Sequence, residues 1–194
     1  MVNESSKKSQ RIKYRKIRAK ALPKAELSIK TLINKLLNMR LENGLLNGFL
    51  GIYWPLSGEV DLRYLKKLAK VPLALPASQE NGELSFHPWG ESPLKRDFCG
   101  IPAPLDEPAL KAEEMSLLIV PALAIDTNGT RLGYGGGFYD RLRAKKAWRS
   151  IPSLVVIPKS CLSDSLLPKD SWDIPFDGWI NEEEFFDPMI TANS

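Results

Sequence analysis

Apolar and polar positions follow two rhythms along this chain. Over residues 24–42 apolar side chains fall at helical spacing, and Leu27, Leu32, Ile33, Leu36 and Leu37 form a stripe. Pro23 suits the first turn of that helix, and Asn43-Gly44 suits its end. Upstream, residues 11–22 favour a separate helix, and the polar residues 1–10 are expected to fray. Elsewhere, short apolar runs predict strands at residues 49–53, 71–75, 84–86, 116–125, 154–157 and 178–180. The strongest carries Leu117, Leu118, Ile119, Val120, Leu123 and Ile125, a run that suits a strand covered on both faces.

Between these runs, Ser57-Gly58-Glu59 reads as a turn opening a helix that carries Val60, Leu62, Leu65 and Leu68. Residues 138–148 read as another helix. Residues 76–110 hold many prolines, glycines and charges and read mainly as loop. Helix and strand alternate throughout. That pattern predicts an α/β fold with a mostly parallel sheet flanked by helices, formed as a single domain over residues 1–194.

Composition narrows the classes. With 43% apolar and 26% charged residues in 194, the chain can bury a core, and global disorder is excluded. No apolar run approaches the roughly 18 residues of a membrane span. The first twenty residues lack the apolar centre of a secretory signal, so a cytoplasmic protein is expected. Cys99 and Cys161 match no metal spacing and read as free thiols of a reducing compartment. His87 stands alone, too few for a histidine metal site.

Charge is unevenly spread. Residues 1–40 hold twelve of the 27 Lys/Arg but only Glu4 and Glu26 of the 23 Asp/Glu, which leaves the remainder acidic. A basic first segment suits an anionic partner: nucleic acid, nucleotide phosphates or a polyglutamate tail. Its alternative is a solvated helix face.

The stretch with most chemistry is Arg131-Leu132-Gly133-Tyr134-Gly135-Gly136-Gly137-Phe138-Tyr139-Asp140-Arg141. Glycines let backbone amides approach a ligand closely, and a loop between strand and helix can aim them at phosphate. Arg131 and Arg141 flank it, and Asp140 is the one acid, most simply a Mg²⁺ ligand beside phosphate. No Gly-Lys-Ser/Thr follows, so this is not a Walker loop, and the aromatic residues depart from the dinucleotide fingerprint. A purely structural glycine turn is the competing reading.

Pro121-Ala122-Leu123-Ala124-Ile125-Asp126, then Gly129 and residues 131–141, resemble the signature of the 5-formyltetrahydrofolate cyclo-ligase family. Weaker features follow in order: Arg11 and Arg15 in a basic first helix, Tyr53-Trp54-Pro55 with Glu59-Val60, Leu84-Ser85-Phe86 with Trp89, Ile101-Pro102 with Pro104, and Pro168 with Trp172-Asp173 and Asp177. The resemblance covers about residues 11–182. It implies a Rossmann-like α/β fold and the ATP- and Mg²⁺-dependent conversion of 5-formyltetrahydrofolate to 5,10-methenyltetrahydrofolate.

It also implies site residues. Arg11, Arg15, Arg131, Leu132, Gly133, Tyr134, Gly135, Gly136, Gly137, Phe138 and Tyr139 would bind ATP. Glu59 and Trp54, with Tyr134 to Phe138, would border the folate, and Asp140 and Asp173 would serve Mg²⁺. Arg11 stands where the family usually has Lys, Ala103 where many members have Glu, and Trp172 where many have His; no Gln occurs near Ser160 and Cys161.

The partners expected are ATP and a reduced folate, without nucleic acid or membrane, for a monomer. Two other functions compete: a fold relative acting on another formylated amine, and a nucleic-acid-binding module built on the basic segment. Several residues have structural readings too: Glu59 as a helix start, Asp173 and Asp177 as turn residues, Tyr139, Trp54 and Phe86 as core, and Arg11, Arg15 and Arg18 as a solvated helix face.

Overall fold

The computed structural model describes residues 4–191. The chain opens with one long helix, α1 (Glu4–Glu42), where two helices are expected. Pro23 lies inside α1 instead of opening a second helix. A proline there removes one backbone hydrogen bond and disfavours the helix locally. Burial on both sides overrides this, since Tyr14, Arg18 and Leu22 before Pro23 and Ala25, Ile29, Ile33 and Leu36 after it are all buried. Residues 4–10 are helical and not frayed, while residues 1–3 lie outside the described residues. Leu27, placed in the stripe by sequence, is 77% exposed, and Ile29 takes its place in the core.

Next come β1 (Phe49–Gly51), α2 (Leu65–Leu68), β2 (Leu73–Ser78), β3 (Leu84–Pro88), β4 (Lys95–Arg96) and β5 (Pro102–Ala103). The helix expected from Glu59 onward is present only as the single turn α2, and Glu59 caps no helix. Pro76 does not stop β2; it sits within that strand opposite Phe86 of β3. Part of the region read as loop is therefore sheet.

A short 3₁₀ turn (Ala112–Glu114) leads into β6 (Met115–Pro121) and β7 (Ala124–Asp126). These are two strands in two sheets, not one run, because the chain turns after Pro121. β8 (Arg131–Leu132) and α3 (Phe138–Ala144) follow. Lys145 adopts an extended backbone and separates α3 from α4 (Lys146–Arg149), so the helix expected over residues 138–148 is broken there. The chain closes with β9 (Ser153–Val156), β10 (Leu162–Ser163), β11 (Gly178–Ile180), β12 (Phe185–Phe186) and α5 (Pro188–Thr191).

Seven strands form the main sheet in the order β12-β11-β9-β6-β1-β2-β3. The five inner strands are parallel, and the edge strands β12 and β3 are antiparallel. Leu117 and Ile119 of β6 face a core shared with Ile29, Ile33 and Leu36 of α1. Leu118 and Val120 face a second core with Tyr14, Leu142 and Ile151. Burial on both faces explains why the β6 run is apolar without alternation.

Strand order fixes where a ligand can sit. From β1 the chain moves outward to β2, then returns past β1 to β6 and continues to β9 and β11. Connections thus leave β1 and β6 in opposite directions and open a crevice at the ends of these two strands.

Candidate functional site

That crevice is a cleft of about 720 Å³. Its floor is the end of β1 and β6, through Tyr53, Trp54 and Pro121. One wall is the glycine loop, residues 131–140. The first turns of α1 supply Lys7 and Arg11, and residues 168–173 supply Asp170, Trp172 and Asp173. The opposite side holds Pro76, Ser78, Asp97 and Cys99.

The glycine loop is held by its carbonyls. Arg11 Nε donates to the Gly133 oxygen at 3.1 Å, and Arg141 Nη2 donates to the Gly136 oxygen at 2.7 Å. Arg141 also lies 5.2 Å from the centre of the Phe138 ring, so it braces the loop from outside. Gly135 at φ 108° and Gly137 at φ 67° need the backbone freedom that only glycine has without strain. Among the described residues, none of the amides of residues 133–137 donates a hydrogen bond within the protein. Five such donors in one half-exposed loop suit phosphate oxygens. Arg131 lies between the rings of Tyr139 and Phe176, at 5.1 and 5.3 Å from their centres, and its buried Nε has no partner among the described residues.

Buried charges converge beside the loop. Glu59 is 8% and Arg18 6% exposed. The Tyr134 hydroxyl accepts from Arg18 Nη1 and donates to Glu59 Oε1. Glu59 Oε2 accepts from the Leu56 amide at 2.7 Å, and Arg18 also donates to the Ala122 oxygen at 3.0 Å. A buried carboxylate is tolerated only with such partners. Burial first, and then the Glu59 carboxylate, push the Tyr134 hydroxyl well above its ordinary 10.0, so it stays a donor.

The far end of the cleft is a second ionic cluster. Lys7 Nζ bridges Asp170 and Asp173, each at 2.7 Å. Burial opposes the charge on Lys7, but hydrogen bonds to the two carboxylates outweigh it and raise its pKa. Asp126, fully buried, accepts from the amides of Asn128, Thr130 and Leu167. It thereby ties the turn before the glycine loop to the segment that carries Asp170 and Asp173.

Of the residues expected to form the site, Arg11, Arg131, Leu132, Gly133, Tyr134, Gly135, Gly136, Gly137, Phe138, Tyr139, Glu59, Trp54, Asp140 and Asp173 all line this cleft. Arg15, which is exposed, is not among the residues that line it. Lys7 and Arg18 reach the cleft or its network instead, and sequence reasoning missed both roles. A signal for them exists. Extending the buried stripe of α1 backwards at steps of four and three gives Leu36, Ile33, Ile29, Ala25, Leu22, Arg18, Tyr14, Arg11 and Lys7. The series passes over Arg15, and its eleven-residue repeat stays close to the helical period. Breaking the helix at Pro23 hides it.

A divalent ion has limited provision here. Among the described residues no three His, Cys, Asp or Glu side chains converge as a metal site. The Asp140 carboxylate has no hydrogen-bond or ion-pair partner among the described residues, whereas Asp173 is paired with Lys7 and accepts from the Asp170 amide at 2.8 Å. Such a set fits an ion that arrives on phosphate and keeps water, as Mg²⁺ does, rather than one held in a protein cage.

Comparison with known proteins agrees with this geometry. The 5-formyltetrahydrofolate cyclo-ligase family model matches residues 4–182. A 5-formyltetrahydrofolate cyclo-ligase of Haemophilus influenzae is 34% identical over 88 residues, covering 44% of this chain and 46% of that protein. Its namesake from Escherichia coli is 36% identical over 93 residues, covering 47% of this chain and 50% of that protein. These matched stretches thus span about half the length of either relative.

Among solved structures, a 5,10-methenyltetrahydrofolate synthetase of Aquifex aeolicus superposes with a TM-score of 0.76 at 26% identity, over 93% of this chain and 92% of its own. A Mycoplasma pneumoniae synthetase shares the fold at a TM-score of 0.70 and 18% identity, over 91% of this chain and 99% of its own. With a family match over residues 4–182, this chain, with its glycine loop, buried Glu59 and cleft at the strand ends, belongs to the 5-formyltetrahydrofolate cyclo-ligase family.

Proposed function

We propose that this protein converts 5-formyltetrahydrofolate and ATP to 5,10-methenyltetrahydrofolate, ADP and phosphate. The observation that carries this reading is that Tyr134 belongs to two subsites at once. Its backbone sits in the turn of free amides, and its hydroxyl sits on the buried Glu59. A phosphate held by the loop and a ring held against Glu59 therefore meet in one cleft.

A formamide carbon is a poor electrophile, and its oxygen is a poor leaving group. Transfer of the γ-phosphoryl to the formyl oxygen breaks the bond to ADP and corrects both. The nitrogen at position 10 then attacks the formyl carbon, loses its proton, and expels phosphate as the five-membered ring closes. Phosphoryl transfer needs alignment and charge neutralisation more than a protein nucleophile. Here the amides of residues 133–137, Arg11, Arg131 and Lys7 take the phosphates. That Lys7 lines the cleft and Arg15 does not supports Lys7 as the second cation of α1 on phosphate. Glu59 and Trp54 hold the folate ring system. Asp140 and, once released by Lys7, Asp173 are the carboxylates that would hold Mg²⁺, which neutralises phosphate charge when bound.

The enzyme works in this reading as a cytoplasmic monomer with ATP and a reduced folate as partners. The free thiols Cys99 and Cys161 suit a reducing compartment. The test is growth of methenyltetrahydrofolate absorbance from 5-formyltetrahydrofolate, expected only with ATP and Mg²⁺ both present. Protein that binds ATP yet forms no product would assign the cleft to another formylated amine.

A further inference from the structure

The rim of the cleft carries an exposed aromatic side chain, Trp172. Trp172 lines the cleft but is 62% exposed, and among the described residues it stacks on no other ring or cation. Asp170 and Asp173, two residues before it and one after, both pair with Lys7 of α1 in the structure. Trp172 thus borders the cleft beside the segment that is tied to the first turns of α1.

The stripe of α1 serves as a ruler along the cleft. Lys7 and Arg18 are eleven residues apart, which is about 16 Å along the axis, with Arg11 between them. Arg18 marks the Glu59 end, Arg11 marks the glycine loop, and Lys7 marks the Trp172 end. A nucleotide whose terminal phosphate lies at the loop and faces the folate carries its base away from the folate. That direction leads past Lys7 to Trp172.

We infer that Trp172 is the stacking platform for the purine base of the nucleotide, and that it sets affinity for the base without reading its edge. The inference rests on the ATP reading above. An indole face binds any purine, so ATP and GTP should bind with similar strength through this contact.

Binding of ATP, inorganic tripolyphosphate and 5-formyltetrahydrofolate to the full chain tests it by calorimetry. Trp172→Ala should weaken ATP about 5- to 150-fold. It should leave tripolyphosphate, which has no base, and the folate unchanged, and Trp172→Phe should recover most of the loss. Thermal melting of each variant separates this from misfolding. If wild-type protein binds ATP and Trp172→Ala binds it equally well, or if the folate is what weakens, the platform is overturned and the ATP reading stands. If wild-type protein binds no ATP, both are overturned.

Discussion

Individual side chains in this cleft differ in what they owe to their neighbours. Arg11 and Arg15 are one turn apart on the same helix and identical in type, yet only Arg11 touches the glycine loop. A cation on phosphate makes charge-assisted hydrogen bonds worth about 1.5–3 kcal/mol, whereas a solvated one contributes almost nothing. Arg11→Ala should therefore raise KM for ATP by roughly 10- to 100-fold. Arg15→Ala should change it less than about twofold, within the range of an exposed charge. Steady-state kinetics at fixed folate distinguishes the two, and an equal effect would mean that both reach the nucleotide. At this scale the sequence was informative about the loop, because glycine, arginine and acid at those positions have few other uses. Which basic residue of α1 faces inward is legible only when the apolar stripe is carried back across Pro23, because Lys and Arg occur all around that helix between residues 7 and 24.

Among the elements, α1 departs most from sequence expectation. A proline usually ends or starts a helix, and reading Pro23 so divides α1 in two. The continuous helix exists because its buried stripe runs unbroken from Tyr14 to Leu36 across both the sheet and the cleft. Local propensity loses to tertiary burial there. Pro23 is itself exposed, so its cost is local and uncompensated by packing. Pro23→Ala should stabilise the protein, by less than about 3 kcal/mol, since proline also restricts the unfolded chain. Denaturant unfolding measures this, and a loss of stability would mean that proline shapes α1 in a way the apolar stripe does not explain. Other strand positions were legible because a doubly covered parallel sheet needs uninterrupted apolar runs. The splitting of residues 116–125 into β6 and β7 was not, because both pieces are buried and apolar alike.

As a whole molecule, the protein keeps several buried acids neutral. Burial holds the Cys161 thiol up at about 11, from its ordinary 9.0. Burial likewise raises the hydroxyls of Tyr53, Tyr134 and Tyr139 above their ordinary 10.0. Lys7 is raised too, against burial, by its two carboxylates. In each case the folded chain holds its proton more tightly than the unfolded chain. Stability from these groups is fully present below their ordinary values and is lost as pH rises through the folded ones. The melting temperature should therefore hold near neutrality and fall above about pH 9. A melting temperature constant to about pH 11 would mean that these side chains are hydrated in solution.

The central claim, that one cleft joins ATP to a formylated folate through the formyl oxygen, can be followed by that atom. With ¹⁸O placed in the formyl group of 5-formyltetrahydrofolate, turnover with unlabelled ATP and water should deliver the label to inorganic phosphate. Label found in water, with unlabelled phosphate, would contradict phosphorylation of the formyl oxygen and the mechanism built on it.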